Sequence, residues 1–557
     1  MKLKGLGKRS YNVMFHTHTV AGITICFALF IIFYAGAFAL FRYELLPWED
    51  PYYRVPYQEN HSLDAALKEI DAAFEINWEE DVYLEIPDEH NQSVSVWAQS
   101  TDTTSNRIYA AINSQAELKD IEEPSTTVAQ TLYDLHFFNQ IPIIGLIIAG
   151  FVSLFYLFSI INGLLIHWHN LLNKLYAFVK EGKWKAIWTN AHTVFGVIGL
   201  PFHLMYAVTG ALFGLLVLFL LPMSQVLDED AVHRAEAAID PYLDLELKEN
   251  PQHANHLSID ELYRKIKAEY PDYHFKSVQL RHYGKEDALA AWFIDNHHGV
   301  TGRGSLVMFM RDGEVLEEYS SPPDDKTYSR AVYDYFHTLH FGSYGGLALE
   351  LLYFVLSMIS CFMIITGVLI WRTARDNGNY TLSQRIFHHQ VTKWYLAICL
   401  SLFPAVAILF LTNKLIPMEL VDRTFWVNTA FFVSWLILTT IGLSWNKYAQ
   451  QNKNYLILGG ALSVIIPVVN GITTGDWIWS AWNMYPWVAY VDVFWAITGL
   501  TSLYVAVFIL KVKPTSDFPI DLKATSEIER KSSSRPVRRP FLKPQLSIDS
   551  NTDLKNI

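Results

Sequence analysis

The chain has 557 residues, of which 51% are hydrophobic and 15% aromatic, and a formal net charge of −12. That is too long for one small domain and too apolar for an ordinary water-soluble protein. The three cysteines, Cys26, Cys361 and Cys399, all fall in apolar runs, so no disulfide framework is implied. Nothing in charge or motif content points to nucleic acid.

Eight apolar runs are long enough to cross a hydrocarbon core of about 30 Å. They lie near residues 20–41, 141–166, 193–221, 345–371, 391–413, 425–445, 455–473 and 487–510. The fold class they predict is a mainly α-helical polytopic membrane protein with about eight transmembrane helices. The chain divides accordingly. Residues 1–41 hold the N-terminus and first helix, 42–135 a hydrophilic segment, and 136–221 the second and third helices. Residues 222–339 form a second hydrophilic segment, 340–375 the fourth helix, and 376–510 helices five to eight. The tail, 511–557, is Ser-, Pro- and Lys/Arg-rich and has the composition of a disordered segment.

Taken in order, the first helix opens at His18, with Gly22 one turn on and Gly36 near its far end. With a basic start and Ala37-Phe-Ala39 it could pass for a signal peptide, but the run is long and copies an internal helix. The segment after it carries an amphipathic helix, Ser62–Ile70, then alternating runs at Val82–Ile86, Ser93–Trp97 and Arg107–Ile112, the period of half-buried strands. His136 then precedes an apolar run that ends at Asn162-Gly163. The third helix opens at His192, with Gly196 and then Thr209-Gly210, and Pro201 marks a kink.

The second hydrophilic segment repeats the recipe. Ser258 and Glu261 fit a capping box, and strand-like runs follow at Phe275–Tyr283, Leu289–Asp295, Ser305–Met310 and Glu314–Tyr319. Each segment therefore reads as a small α+β module. His340 precedes the run that ends at Thr366-Gly367. Helices five to eight hold no histidine in their interiors; His388 and His389 sit just before helix five, and Trp477, Trp479, Trp482 and Trp487 crowd one end as an interfacial belt.

The spacings match between halves. His18 to Gly36 and His192 to Gly210 are both 18 residues; His136 to Gly163 and His340 to Gly367 are both 27. Eighteen residues is five helical turns, so each histidine shares a face with a glycine about 27 Å away. A histidine inside a membrane helix is a functional hypothesis by default. The chain thus reads as a duplicated unit of helix, hydrophilic segment and helix.

Charge orients it. Lys2, Lys4, Lys8 and Arg9, four lysines in 167–191 and three arginines in 372–390 fall on one side with the basic tail. By the positive-inside rule that side, with both termini, is cytoplasmic. Residues 42–135 hold 20 acids and 5 bases, net −15, and residues 222–339 hold 22 acids and 12 bases, net −10, both on the other side.

The HxxxG helix openings, the His-Phe pairs at 136–137 and 340–341, the late Thr-Gly and the two α+β modules resemble the PepSY-associated transmembrane family over roughly residues 10–375. The resemblance implies an inner-membrane protein of iron-regulated type with two PepSY-like extracytoplasmic modules, akin to haem-containing ferric-siderophore reductases. The extra four helices depart from the simplest members.

The histidines support haem on their own chemistry. Two facing imidazoles at one depth suit b-type haem. His18 pairs with His192 near the cytoplasmic face and His136 with His340 near the outer face, giving two axial-ligand pairs for haem iron and two haem b groups. One macrocycle cannot bridge about 30 Å of hydrocarbon, so two make an electron path. Gly36 and Gly210 are expected to face the outer haem and permit its close approach.

Alternatives are weighed residue by residue. His203 lies eleven residues past His192 and is a reserve ligand; His167 and His169 suit interface polarity; His297-His298 suits a solvated loop. No CxxC, P-loop, Rossmann or HExxH motif supports nicotinamide or metalloprotease chemistry.

The expected function is therefore transmembrane electron transfer that reduces a ferric chelate or siderophore outside, with quinol or a cytoplasmic reductase as donor and membrane lipid as surroundings. The alternative is a non-enzymatic PepSY protein that binds or regulates a protease or cell-envelope partner.

Overall fold

The computed structural model describes residues 7–510 except 55–60, 89–91, 102–106, 121–127, 172–183, 227–244, 246, 249, 295–303, 320–327 and 446. His297-His298 and the tail from 511 lie outside the described residues.

Among the described residues, eight helices are long and apolar enough to cross a membrane. The first four spans belong to the duplicated unit. They are α1 (Lys8–Ala39), α5 (Ile144–His167), the broken helix α6 (Trp184–Ile198) and α7 (Leu200–Val226), and α10 (Gly346–Arg375). The break falls at Gly199, two residues before Pro201, whose ring has no N–H to continue the ladder. Helix α1 is central, packed between α5 and α10, while α7 lies on α5 and α6 on α10. Burial follows: Ile25, Leu29, Phe30, Phe33 and Phe38 are all enclosed, on more than one face.

Short helices join these spans to the sheet. They are α2 (Arg42–Glu49), directly after α1; α4 (Val128–His136), before α5; and α9 (Tyr328–Phe341), before α10. The last four spans are α11 (Leu382–Leu415), α12 (Arg423–Ser444), α13 (Tyr448–Thr474) and α15 (Pro486–Tyr504), with α14 (Ile478–Met484) between the last two. Helix α11 packs on α12 and α13 and reaches back to α10 and α1. It starts earlier than the hydropathy suggests, at a Thr381/Gln384 capping box, so His388 and His389 lie within its first turns and not before it.

The two hydrophilic segments build one sheet. Its order is β4-β3-β2-β1-β5-β6-β7-β8, all antiparallel. The first segment supplies β1 (Val82–Glu85), β2 (Ser93–Gln99), β3 (Arg107–Asn113) and β4 (Leu118–Asp120); the second supplies β5 (Phe275–Arg281), β6 (Leu289–Ile294), β7 (Gly304–Phe309) and β8 (Val315–Tyr319). Strands β1 and β5 pair Val82 with Leu280 and Glu85 with Ser277, so each module covers the other's open edge.

Alternation sorts the two faces. Val82, Leu84, Val278 and Leu280 turn to a core shared with α3 (Leu63–Phe74) and α8 (Ile259–Glu269). These helices cap each other. Asp260 accepts from the amides of Leu63 and Asp64, and Asp64 accepts from those of Ile259 and Asp260 at 3.0 and 2.8 Å. Each carboxylate thus satisfies the partner helix's free N–H groups at its positive end.

Candidate functional site

Four histidines project into the α1, α5, α7 and α10 bundle as two pairs. His18 and His192 have ring centroids 6.1 Å apart; His136 and His340 have theirs 6.0 Å apart. The pairs sit at opposite ends of α1. His18 is on α1 itself, whereas His136 lies beside Ile32 and Gly36, 14 to 18 residues further along and so about 21–27 Å away.

In each ring, Nδ1 is tied and Nε2 is left open. His18 Nδ1 donates to Ser159 O at 2.8 Å, His136 Nδ1 to Ile32 O at 2.8 Å, and His192 Nδ1 to Met363 O at 3.0 Å. His340 differs. Its Nδ1 lies 2.7 Å from Thr209 Oγ1, whose own proton goes to Met205 O, so the hydroxyl accepts from the imidazole. Tyr206 Oη donates to His340 O at 2.9 Å and its ring packs 4.9 Å from the imidazole. Hydrogen bonding at one nitrogen fixes the tautomer and leaves the other unprotonated and able to bind a metal.

Three of the matched glycines lie directly against a histidine ring. In three cases the accepting carbonyl lies four residues before a glycine: Ser159 and Gly163, Ile32 and Gly36, Met363 and Gly367. A Cβ at Gly36 would meet His136 Nδ1 at 2.5 Å; at Gly163 it would meet His18 Cε1 at 3.4 Å, and at Gly367 His192 Cε1 at 3.2 Å. Helical carbonyls point toward residue i+4, so an imidazole that reaches one must lie over that position. Gly36 thus makes room for the His136 ring, and with Gly210 it also lines the cavity that His136 and His340 share. Gly210 faces Ser153, with its would-be Cβ 2.6 Å from Oγ.

The sequence expectation needs correction on where two histidines sit. His136 ends α4 and His340 lies at the end of α9; neither opens a spanning helix. Turns with positive φ at Phe138 and Ile143, and at Gly342, separate them from α5 and α10.

A cavity of about 870 Å³ is lined by Gly36, His136 and His340 and reaches past them to Leu29, Phe33 and Tyr156. At its other end it reaches the sheet, where Tyr83, Glu85, Lys276 and Ser277 line it. Tyr83 Oη donates to Ser277 Oγ at 2.6 Å, and burial pushes the Tyr83 phenol up, so it stays neutral.

His203 is enclosed, 2% exposed, among Phe33, Tyr156 and Phe202, and no second imidazole is in ring contact with it among the described residues. His167 ends α5, and His169 falls in the short turn after it. Among the described residues no group of three or more His, Cys, Asp or Glu converges as a metal site. Thr209 stood out in the sequence as half of the late Thr-Gly but without a role; the carbonyl partners left no trace except the glycine four residues beyond each.

Comparison with protein families finds a match over residues 15–374 to the family described as the PepSY-associated TM region. No curated protein matches the chain.

Proposed function

The chain belongs to the PepSY-associated transmembrane family, and on that premise we propose that it moves electrons across the membrane through two b haems to a ferric chelate on the sheet side. One observation carries the proposal. Two pairs of imidazoles face each other at about one ring separation, each with Nδ1 hydrogen-bonded and Nε2 open. Two nitrogens bound on opposite sides of one ion at about 2.0–2.1 Å leave ring centroids roughly 6 Å apart. The donor set, neutral imidazole fixed by an outer hydrogen bond, is the one axial haem ligation asks for. Two protein donors suffice for each such group, and no cluster of three or more side chains is needed.

His18 and His192 would hold the far-side group, His136 and His340 the sheet-side one. Haem supplies a one-electron carrier at each position, and no general acid or base is needed. The chain's own part is orientation. Ser159, Ile32, Met363 and Thr209 fix the four rings, and the apolar bundle around them excludes water. On the sheet side, the cavity lined by His136 and His340 gives a chelate room to approach. Electrons enter from quinol or a cytoplasmic reductase.

Family membership also supports a second function: the sheet binds a protease or envelope partner and the helices anchor it. Purification from membranes followed by an optical spectrum separates the two. Split α-bands of reduced b-type haem, and reoxidation by ferric chelate in stopped flow, support the reductase; a colourless protein supports the anchor.

A further inference from the structure

Among the described residues, the helices beyond the family-matched region, α11 to α15, bring no two histidine rings from different helices together. Their sheet-side ends nonetheless bury Asn413, Asn470 and Asp492 at 2%, 0% and 0% exposure. Polar groups in a membrane helix bundle are costly and mark a function by default. Here they converge on α2. Trp48, fully buried, donates its indole N–H to Asp492 Oδ1 at 2.8 Å, and Asn470 donates to Asp492 Oδ2 at 2.9 Å. Lys414 donates to the carbonyl of Trp48 and sits 4.1 Å from the centre of its ring.

The next residue makes the link. Glu49, 3% exposed, accepts from the amides of Val128 and Ala129 at 2.9 and 2.6 Å. These are the first two N–H groups of α4, which a helix leaves unpaired and which lie at its positive end. Both bonds are charge-assisted and shielded from water. Thr131, one turn on, bonds to Asn428 of α12. Helix α4 has nine residues, too few to hold its shape alone. It is tied at its start by Glu49 and at its end by His136, whose Nδ1 reaches Ile32 O.

The counterpart helix α9 is longer, packs on α7, and its histidine is held by Thr209 and Tyr206 of α7. Of the two short helices that carry a paired histidine, the extra helices therefore hold α4. We propose that α2 and the C-terminal helices form a latch on α4, in which Glu49, braced through Trp48 by Asp492, is a positioning residue that sets the height and direction of His136. This rests on the haem proposal for its consequence and not for its geometry.

The test uses full-length Glu49→Ala, Glu49→Gln and Asp492→Asn, with Trp479→Ala, an exposed residue of α14, as control. Hydrogen–deuterium exchange of peptides spanning 128–136 reads the latch with or without haem. Redox titration and the low-spin EPR signal of the sheet-side haem read its effect on His136. Glu49→Ala is expected to speed exchange across 128–136 by about tenfold or more. It should shift or empty the sheet-side haem and leave the far-side haem unchanged. Glu49→Gln keeps one acceptor and should lie between Glu49→Ala and wild type, as should Asp492→Asn. Should Glu49→Ala fail to fold, these two carry the test. Wild-type exchange and an unshifted sheet-side signal in the variants would overturn the proposal, and so would equal damage to both haems. A wild-type protein without haem would remove the haem reading, while the exchange result would still decide the latch.

Discussion

Gly36→Ala tests the site at its tightest point. The new methyl would stand 2.5 Å from His136 Nδ1 and 2.6 Å from Cε1, where ordinary contact begins near 3.4 Å. The ring must therefore retreat by about 1 Å. Its Nδ1 already lies 2.8 Å from Ile32 O, so that retreat breaks the hydrogen bond. A buried N–H left unpaired costs about 1–3 kcal/mol, which is roughly five- to 150-fold in the population of the correct ring orientation. Helix propensity works the other way, favouring alanine by about 1 kcal/mol, so the fold itself should survive.

Two sister substitutions grade the effect. Gly367→Ala would meet His192 at 3.2 Å and Gly163→Ala would meet His18 at 3.4 Å. The first needs a shift of a few tenths of an ångström and the second needs none. The assay is haem per folded chain, with a redox titration, on the three purified variants. Gly36→Ala should lose or shift the sheet-side haem alone. Gly367→Ala should perturb the far-side haem mildly, and Gly163→Ala should match wild type. Equal behaviour in all three, or loss of the far-side haem in Gly36→Ala, would refute the reasoning.

Thr209→Val removes the acceptor for His340 Nδ1 and should weaken the sheet-side haem by about 10–100-fold; Thr209→Ser should restore it, and haem retention during dilution measures both. Reporter fusions near residues 100 and 290 should read as external and fusions at either terminus as cytoplasmic, given the basic short loops; a cytoplasmic signal at 290 would reverse the orientation. The hydrophilic segments sum to a net charge of about −25, from −15 and −10, so stopped-flow reoxidation at low salt should be slowest for the most anionic ferric chelate, with the difference shrinking as salt rises.

The histidine pairs were legible because duplication printed the same spacings twice, and a helix converts spacing into depth. The eight spans and the capping box at Ser258 were legible because hydropathy and capping are local. What could not be read arises between distant segments. Strands β1 and β5 lie nearly 200 residues apart, and nothing in either alternation says that one completes the other's sheet. The role of Gly36 depends on a ring arriving from α4, and the carbonyl that holds it has no side-chain signature. His136 looked like the start of a helix because hydropathy rises after it; Phe138 and Ile143, whose positive φ separates α4 from α5, are not turn formers by residue type. Glu49 read as one acid among twenty in its segment, although it is the one that caps α4.

The most direct test of the central claim is haem quantified per chain in wild type and in His18→Ala, His192→Ala, His136→Ala and His340→Ala. Wild type should hold two low-spin b haems. Loss of either His18 or His192 should remove one, and loss of either His136 or His340 the other, with distinct potentials identifying which remains. A colourless wild type, or four variants that each keep both haems, would contradict the pairing.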